Sequence, residues 1–246
     1  MSAELRLLGL VVEGPSDARI VPSIVDQILT EQAGLLEDRC ENVRAFVGLV
    51  ARSQYLAWRD VNSEAKARVP RMHGPFSGVS AVEDARTARY ALQCFVVQEP
   101  RPAAVVLVRD SDGKPEERLK GLEQARGDRE WPFPVVIGVA HSMIECWVLS
   151  AFIPQVRREI SALATVQKEL GFDPTARSDR LTALNKVVRK RPKQILSRLT
   201  NDDEAREGQC WPDAGIDRVR ERGTRNGLAD FVCDVEQRIV PLFTMP

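Results

Sequence analysis

The feature that most constrains this chain is a short apolar run that ends in two acids. Residues 105–108 read Val-Val-Leu-Val, and residues 109–113 continue as Arg-Asp-Ser-Asp-Gly. A run this short, apolar at odd and even positions alike, predicts a strand buried on both faces of a parallel sheet. Its acids then lie at the carboxyl edge, where open α/β sheets bind ligands. If strand geometry continues, Asp110 and Asp112 share one face about 7 Å apart, which suits a divalent cation.

A second apolar strand near the start of the chain also ends in acids. Residues 5–12 form the apolar run, and Glu-Gly-Pro-Ser-Asp follows at 13–17. The pattern predicts a tight turn at Gly14 and a helix that begins at Pro15. Glu13 then follows the strand directly, and Asp17 falls in the first helical turn, where an acid also complements the helix dipole.

Further segments extend the alternation of strands and helices. Residues 42–48 and 134–140 predict strands, residues 81–98 and 115–126 predict helices, and the helical pattern that follows the last strand has Glu145 in its first or second turn. The sequence therefore predicts an α/β fold with a Rossmann-like parallel sheet of about four strands flanked by helices. Acids after the first, third and fourth strands are expected at the same edge of that sheet.

The remaining segments have weaker patterns. Residues 52–80 predict an irregular insertion. Beyond residue 153 the pattern is almost entirely helical, with helices predicted at roughly 154–170, 178–199 and 226–242. We expect an α/β core over 1–153 and a helical C-terminal region over 154–246 that packs on it as one compact unit. Residues 186–198 are strongly basic and contain no acid, which is typical of a phosphate-binding segment or of a solvated helix face. The candidate nucleic-acid contacts are Lys186, Arg189, Lys190, Arg191 and Lys193.

Composition narrows the function classes. The chain has 35 basic and 35 acidic side chains among 246 residues, so any nucleic-acid surface must be a local patch. Five scattered cysteines without paired spacing predict reduced thiols in a cytoplasmic protein, and two histidines make a histidine-based zinc site improbable. No stretch approaches the length and hydropathy of a membrane span.

The strand-end acids form an oxygen-rich set without histidine. Such a set suits one or two Mg²⁺ or Mn²⁺ ions, because hard cations prefer oxygen ligands. Two ions could stabilise both the attacking and the leaving oxygen of a phosphodiester. The candidate metal ligands are Glu13, Asp17, Asp110, Asp112 and Glu145.

These motifs resemble those of the TOPRIM domain. Glu-Gly-x-x-Asp after the first strand and Asp-x-Asp after an apolar strand are similar to the TOPRIM motifs of topoisomerases, primases and OLD-family nucleases. The compact TOPRIM-like proteins of the DUF4276 group are the most similar, through residues 144–149, 191–196 and a closing helix over 228–242. The resemblance covers most of the chain except residues 52–80.

The resemblance implies a role for each acid and for one lysine. Glu13 would be a metal ligand or the general acid/base, Asp17 a second acid, and Asp110 with Asp112 the metal-binding pair. Glu145 would complete a second metal site. Lys193 would contact the phosphate or stabilise the leaving oxygen.

The resemblance also implies an activity and a partner. Hydrolysis of nucleic acid, DNA in preference to RNA, is the implied chemistry, and the implied role is that of an effector in a bacterial defence or mobile-element system. A separately encoded ATPase is the partner that the resemblance implies, and the given sequence itself contains no phosphate-binding G-x-x-x-x-G-K-[ST] loop. One alternative is a catalytically silent TOPRIM scaffold that binds nucleic acid or an ATPase. A receiver domain and a dehalogenase-like phosphatase also use strand-end aspartates. The phosphatase would need an aspartate pair near the first strand, where Glu13 and Gly14 stand, and the receiver would need a lone phosphoacceptor, which Asp110 matches poorly.

Overall fold

The chain has an α/β fold with a five-stranded parallel sheet flanked by helices. The computed structural model describes residues 5–35, 40, 42–69, 82, 84–182 and 191–244. The strands are β1 (Arg6–Val12), β2 (Arg44–Val47), β3 (Leu56–Ala57), β4 (Ala104–Asp110) and β5 (Val135–Ala140). The helices are α1 (Pro15–Ala33), α2 (Val61–Arg68), α3 (Ala85–Val96), α4 (Pro115–Arg126), α5 (Glu145–Ala151), α6 (Arg157–Leu170), α7 (Pro192–Thr200), α8 (Glu204–Gly208), α9 (Cys210–Arg222), α10 (Leu228–Arg238) and α11 (Val240–Thr244).

The chain forms two compact units. Unit 1 comprises residues 1–109, 116–138 and 233–246, and unit 2 comprises residues 110–115 and 139–232. The division therefore differs from the predicted boundary at 153, because the chain passes from one unit to the other within β4 and within β5. Each unit is described by itself below.

The sheet has the strand order β2-β1-β4-β5, and β3 pairs with β1 beyond the end of β2. The pairs are parallel, with Val11 opposite Leu107 of β4 and Val12 opposite Ala57 of β3. β1 and β4 lie inside the sheet, and β5 is six residues long. The apolar runs of these three strands are buried almost throughout. This burial on both faces explains why the sequence predicted these three strands closely.

Unit 1 buries one face of α1 against its apolar core. Ile20, Ile24 and Ile28 recur at helical spacing and are at most 2% exposed. The helix begins at Pro15, as predicted, because proline has no N–H to leave unsatisfied in the first turn. Gly14 is extended, with φ −170°, so the prediction that this position needs glycine for a tight turn was wrong.

The segment predicted to be irregular contains regular structure. Over residues 56–68 the chain forms β3, a 3₁₀ turn (Trp58–Asp60) and α2. The prediction missed them because a two-residue strand has no readable periodicity and takes its geometry from pairing with β1. Residues 70–80 lie outside the described part of the chain.

Unit 2 is built mainly from helices, and its centre is a buried polar network. Asn226, which is 1% exposed, donates its side-chain amide to the Cys146 carbonyl at 3.1 Å and to the hydroxyls of Ser150 and Ser178, each at 2.8 Å. The Asn226 carbonyl accepts the indole N–H of Trp147 at 2.8 Å. These bonds join α5 to the segment before α10. In the described ranges, no helix is both long and apolar enough to cross a membrane.

Candidate functional site

In unit 1, the two predicted acids of the first motif contact each other through the backbone. The Asp17 carboxylate accepts the Glu13 backbone N–H at 2.9 Å. Burial raises the pKa of Asp17, and backbone hydrogen bonds from Glu13 and Gly14 act in the opposite direction. One Asp17 oxygen therefore stabilises the turn into α1, which is a structural role beside the proposed role as a metal ligand.

The Glu13 side chain lies beside Arg109, which was not among the predicted site residues. The register that pairs Val11 with Leu107 brings Glu13 alongside Arg109 two residues later. An Arg109 guanidinium nitrogen lies 3.6 Å from Glu13 Oε1. The Glu13 side chain is 37% exposed and that of Arg109 is 17% exposed, so a buried cation faces a partly exposed carboxylate.

Arg109 also belongs to a buried charge network. Its second terminal nitrogen lies 3.2 Å from Asp84 Oδ1, and Arg118 pairs with Asp84 Oδ2. Asp84 is left-handed, with φ 67°, and immediately precedes α3, yet its side chain makes no capping bond to that helix. In unit 1, Arg109 therefore contacts two acids, Glu13 and Asp84, and Asp84 also contacts Arg118. A signal was present in the sequence, because a charged residue at the end of a buried strand needs a partner.

An aromatic ring supports Arg109 from another direction. The Arg109 guanidinium carbon lies 5.0 Å from the ring centroid of Trp58, within cation–π distance. The Trp58 indole N–H donates to the Val108 carbonyl at 2.7 Å, and Trp58 is 3% exposed. Trp58 follows β3, so the segment predicted as an insertion supplies a side chain that contacts Arg109, the residue beside Glu13.

In unit 2, Asp110 lies against the helix that carries Glu145. Asp110 Oδ1 accepts the backbone N–H of Ile144 at 2.9 Å. Glu145 is the first residue of α5, within the first or second turn where the sequence predicted it, and is 8% exposed. Two of the predicted metal-binding acids therefore belong to neighbouring segments of one unit, although they are 35 positions apart in the sequence.

Asp112 does not continue the geometry of the strand. β4 ends at Asp110, and Asp112 is exposed with φ 49°. The prediction that Asp110 and Asp112 project from one face by strand alternation was therefore wrong. Gly113 follows with φ 83°, a value that glycine adopts without a steric cost, so the predicted sharp turn at this residue is present.

A serine and a histidine that were not selected as site residues meet beside Asp110. The hydroxyl oxygen of Ser111 lies 2.9 Å from Nδ1 of His141, and the Ser111 backbone N–H donates to the Ala140 carbonyl at 2.9 Å. Ser111 is fully buried, which makes it a poor nucleophile. The contact orients the imidazole of His141 at the start of the loop that leads to α5.

The predicted basic segment is described only in part. Lys186, Arg189 and Lys190 lie outside the described residues. Arg191 precedes α7 and Lys193 is its second residue, and both are exposed. Further along α7, Arg198 forms two hydrogen bonds to Glu169, at 2.7 and 2.9 Å.

The described residues do not form a complete protein cage for a metal ion. Among them, no group of three or more histidine, cysteine, aspartate or glutamate side chains is placed to hold one. The available donors are carboxylate oxygens, which suit Mg²⁺ or Mn²⁺. Mg²⁺ is often held by one or two carboxylates, with water and substrate phosphates as its other ligands. Asp110 and Glu145 carry the type of donor atom that such a smaller ligand set uses.

Comparisons with known proteins give no assignment. No family model, curated protein or solved structure matches this chain.

Proposed function

We propose that this protein is a divalent-metal-dependent phosphodiesterase that hydrolyses nucleic acid, with a TOPRIM-like arrangement of acids. Asp110 and Glu145 are the proposed ligands of one Mg²⁺ or Mn²⁺ ion, and Asp112 is a further candidate ligand. Glu13 is the proposed general acid/base. The bound ion would supply charge stabilisation for a phosphate oxygen and activation of a water molecule.

The position of Asp110 is the observation that carries the proposal. Asp110 is the last residue of β4, and its carboxylate accepts the backbone N–H of Ile144, the residue that precedes Glu145. The carboxyl ends of strands in a parallel α/β sheet are where such folds bind ligands. Asp110 is the last residue of β4 and Glu145 is the first residue of α5, so secondary structure holds the backbone of both acids.

The exposed cations at the start of α7 support a polyanionic substrate. Arg191 and Lys193 are exposed in a protein whose charges are otherwise balanced. Basic side chains that contact phosphates contribute affinity without base specificity, and that affinity falls with salt. Lys193 is the proposed phosphate contact in the described part of the basic segment.

The test uses a substitution that separates a structural role of Asp110 from a metal-binding role. Asp110→Asn retains an oxygen that can accept the Ile144 N–H, but it removes the negative charge. Asp217→Asn is the matched control, because it removes a fully exposed carboxylate from the same unit. Cleavage of single-stranded, double-stranded and supercoiled DNA, and of RNA, is measured with Mg²⁺ and with Mn²⁺.

We expect metal-dependent cleavage that Asp217→Asn retains. Asp110→Asn should lower the rate by at least about 100-fold, since even residues that only orient metal ligands cost about 10–100-fold when mutated. Equal activity of Asp110→Asn and wild type would contradict the proposed metal site. No cleavage, and no rise in unfolding temperature with Mn²⁺, would contradict the proposed function.

A catalytically silent scaffold is the second candidate, and one observation favours it. Glu13 already has a cation beside it, because Arg109 lies 3.6 Å away. A carboxylate paired in this way does not need a metal ion to balance its charge. Nucleic-acid binding without cleavage, lost on reversal of the charges of Arg191 and Lys193, would support the scaffold. A separately encoded ATPase remains the proposed partner in either case.

A further inference from the structure

We propose that Arg109 is a positioning residue that fixes the Glu13 carboxylate for the hydrolytic reaction. The inference rests on the proposed function and assigns a role to a residue outside the predicted acid set. Four contacts within unit 1 carry it: those of Arg109 with Glu13, Asp84 and Trp58, and the contact of Asp84 with Arg118.

The guanidinium of Arg109 contacts two acids. One terminal nitrogen faces Glu13 Oε1 at 3.6 Å, and the other faces Asp84 Oδ1 at 3.2 Å. A guanidinium is a planar fork whose nitrogens lie at fixed angles, so the shorter contact with Asp84 sets the direction from which the Arg109 cation faces Glu13. A lysine ammonium is a single point charge on a flexible stem and lacks this fork.

Other side chains hold the Arg109 guanidinium itself in place. The Trp58 ring lies 5.0 Å from the guanidinium carbon, and the Trp58 indole is fixed by its bond to the Val108 carbonyl at 2.7 Å. Asp84 is 7% exposed at its side chain and shares its second oxygen with Arg118. The arginine is therefore anchored on its buried side before it reaches Glu13.

The exposure gradient gives the network a direction. The side chains of Asp84, Arg118, Arg109 and Glu13 are 7%, 10%, 17% and 37% exposed. Glu13 is thus the member of the network that a substrate could reach.

The conformation of Asp84 supports a functional reason for the network. Its φ of 67° is unfavourable for a non-glycine residue, and its side chain contacts two arginines instead of capping α3.

The same network explains what each substitution removes. Arg109→Gln takes the cation from Glu13 and leaves Asp84 with Arg118. Arg118→Gln takes one cation from Asp84 and leaves the Arg109–Glu13 contact in place. Because both arginines are mostly buried and share Asp84, Arg118→Gln is the matched control for loss of a buried ion pair.

The experiment is a double-mutant cycle on the cleavage rate. It compares wild type, Arg109→Gln, Glu13→Gln and the double variant under one metal condition, with Arg118→Gln beside them. Arg109→Gln should lower kcat by about 10–100-fold with little change in KM, because a misplaced catalytic group is costly while ground-state binding is retained. In the Glu13→Gln background, Arg109→Gln should cost almost nothing further, since its effect passes through Glu13. Arg118→Gln should lower kcat less than Arg109→Gln does, because it leaves the Arg109–Glu13 contact in place.

The outcomes separate the two proposals. Absence of metal-dependent cleavage by wild type would overturn the proposed function and the role of Arg109 with it. Cleavage by wild type, combined with independent losses from Arg109→Gln and Glu13→Gln, would overturn the role of Arg109 alone. Equal losses from Arg109→Gln and Arg118→Gln would do the same, because they would indicate a purely structural network. If Arg109→Gln does not fold, the cycle is repeated with Arg109→Lys, which keeps the buried charge but lacks the fork.

Discussion

Replacement of Asn226 by alanine should destabilise unit 2 strongly. The side chain makes four hydrogen bonds in a site that is 1% exposed: to Cys146 O, Ser150 Oγ, Ser178 Oγ and the Leu228 N–H. The two serine hydroxyls are 3.2 Å apart and can keep each other as partners, whereas the Leu228 N–H loses its acceptor.

The magnitude follows from those bonds. Each buried hydrogen bond contributes about 1 kcal/mol net, and an orphaned buried donor costs about 1–3 kcal/mol. With partial re-pairing of the serines, Asn226→Ala should lower the free energy of unfolding by about 3 kcal/mol. For a chain of this length, that corresponds to a fall in Tm of roughly 6–12 °C.

Thermal unfolding followed by far-UV circular dichroism measures the effect. Asn62→Ala is the control, because Asn62 is exposed on α2 and alanine is the better helix former. A change in Tm of less than about 2 °C for Asn226→Ala, equivalent to about 0.5–1 kcal/mol, would refute the reasoning. Such a result would mean that water or rearranged side chains satisfy the network without the amide.

Three further predictions concern thiols, pH and a close backbone approach. Cys233 is exposed, so a thiol reagent should modify it alone in the native protein and should modify all five cysteines after unfolding. The other four are buried, and burial raises the pKa of Cys94 to about 11 and the pKa values of Cys146 and Cys210 to about 12. Burial acts to raise the pKa of Glu159, but hydrogen bonds from Arg206 and from the Gln155 N–H outweigh it and lower that pKa. The stability that Glu159 contributes is therefore present above pH 4.5, the usual pKa of a glutamate, and is lost as the pH falls through the lowered pKa. In denaturant titrations, the difference in unfolding free energy between wild type and Glu159→Gln should shrink over that pH range. Gly227 has φ 82°, and an added Cβ would lie 2.1 Å from the Val139 carbonyl oxygen, so Gly227→Ala should cost more than the about 1–2 kcal/mol of the backbone strain alone. Gly208→Ala, where the added Cβ meets no atom within 4 Å, is the control in the same unfolding assay.

The strands that carry the acids were readable because they are buried on both faces. β1, β4 and β5 consist of continuous apolar runs, and their observed bounds lie within one or two residues of the predicted ones. β3 has only two residues, so it leaves no periodic signal and depends on its pairing with β1. The helix at Arg157–Leu170 has an amphipathic pattern and was predicted closely, whereas Cys210–Arg222 was missed because Gly215, with φ 69°, interrupts it.

The acids themselves could be predicted, but their partners could not. Glu145 lies in the first turn of its helix, within the predicted range, because a helix start after a strand has a local signature. The contact of Glu13 with Arg109 depends on the register between β1 and β4, which are nearly a hundred residues apart in sequence. Asp112 shows the same limit at short range, since its positive φ ends the strand alternation that the sequence alone would continue.

The sequence by itself determined the α/β class, the three acid-bearing strand ends and the oxygen character of the candidate site. These properties follow from local composition, because burial requires apolar runs and turns require particular residues. Only the tertiary structure decided that Asp110 accepts the backbone N–H of Ile144 and that Arg109 lies beside Glu13 while it contacts Asp84 and Trp58 in unit 1. Those contacts depend on strand register and on side chains from distant segments, and neither has a local pattern in the chain.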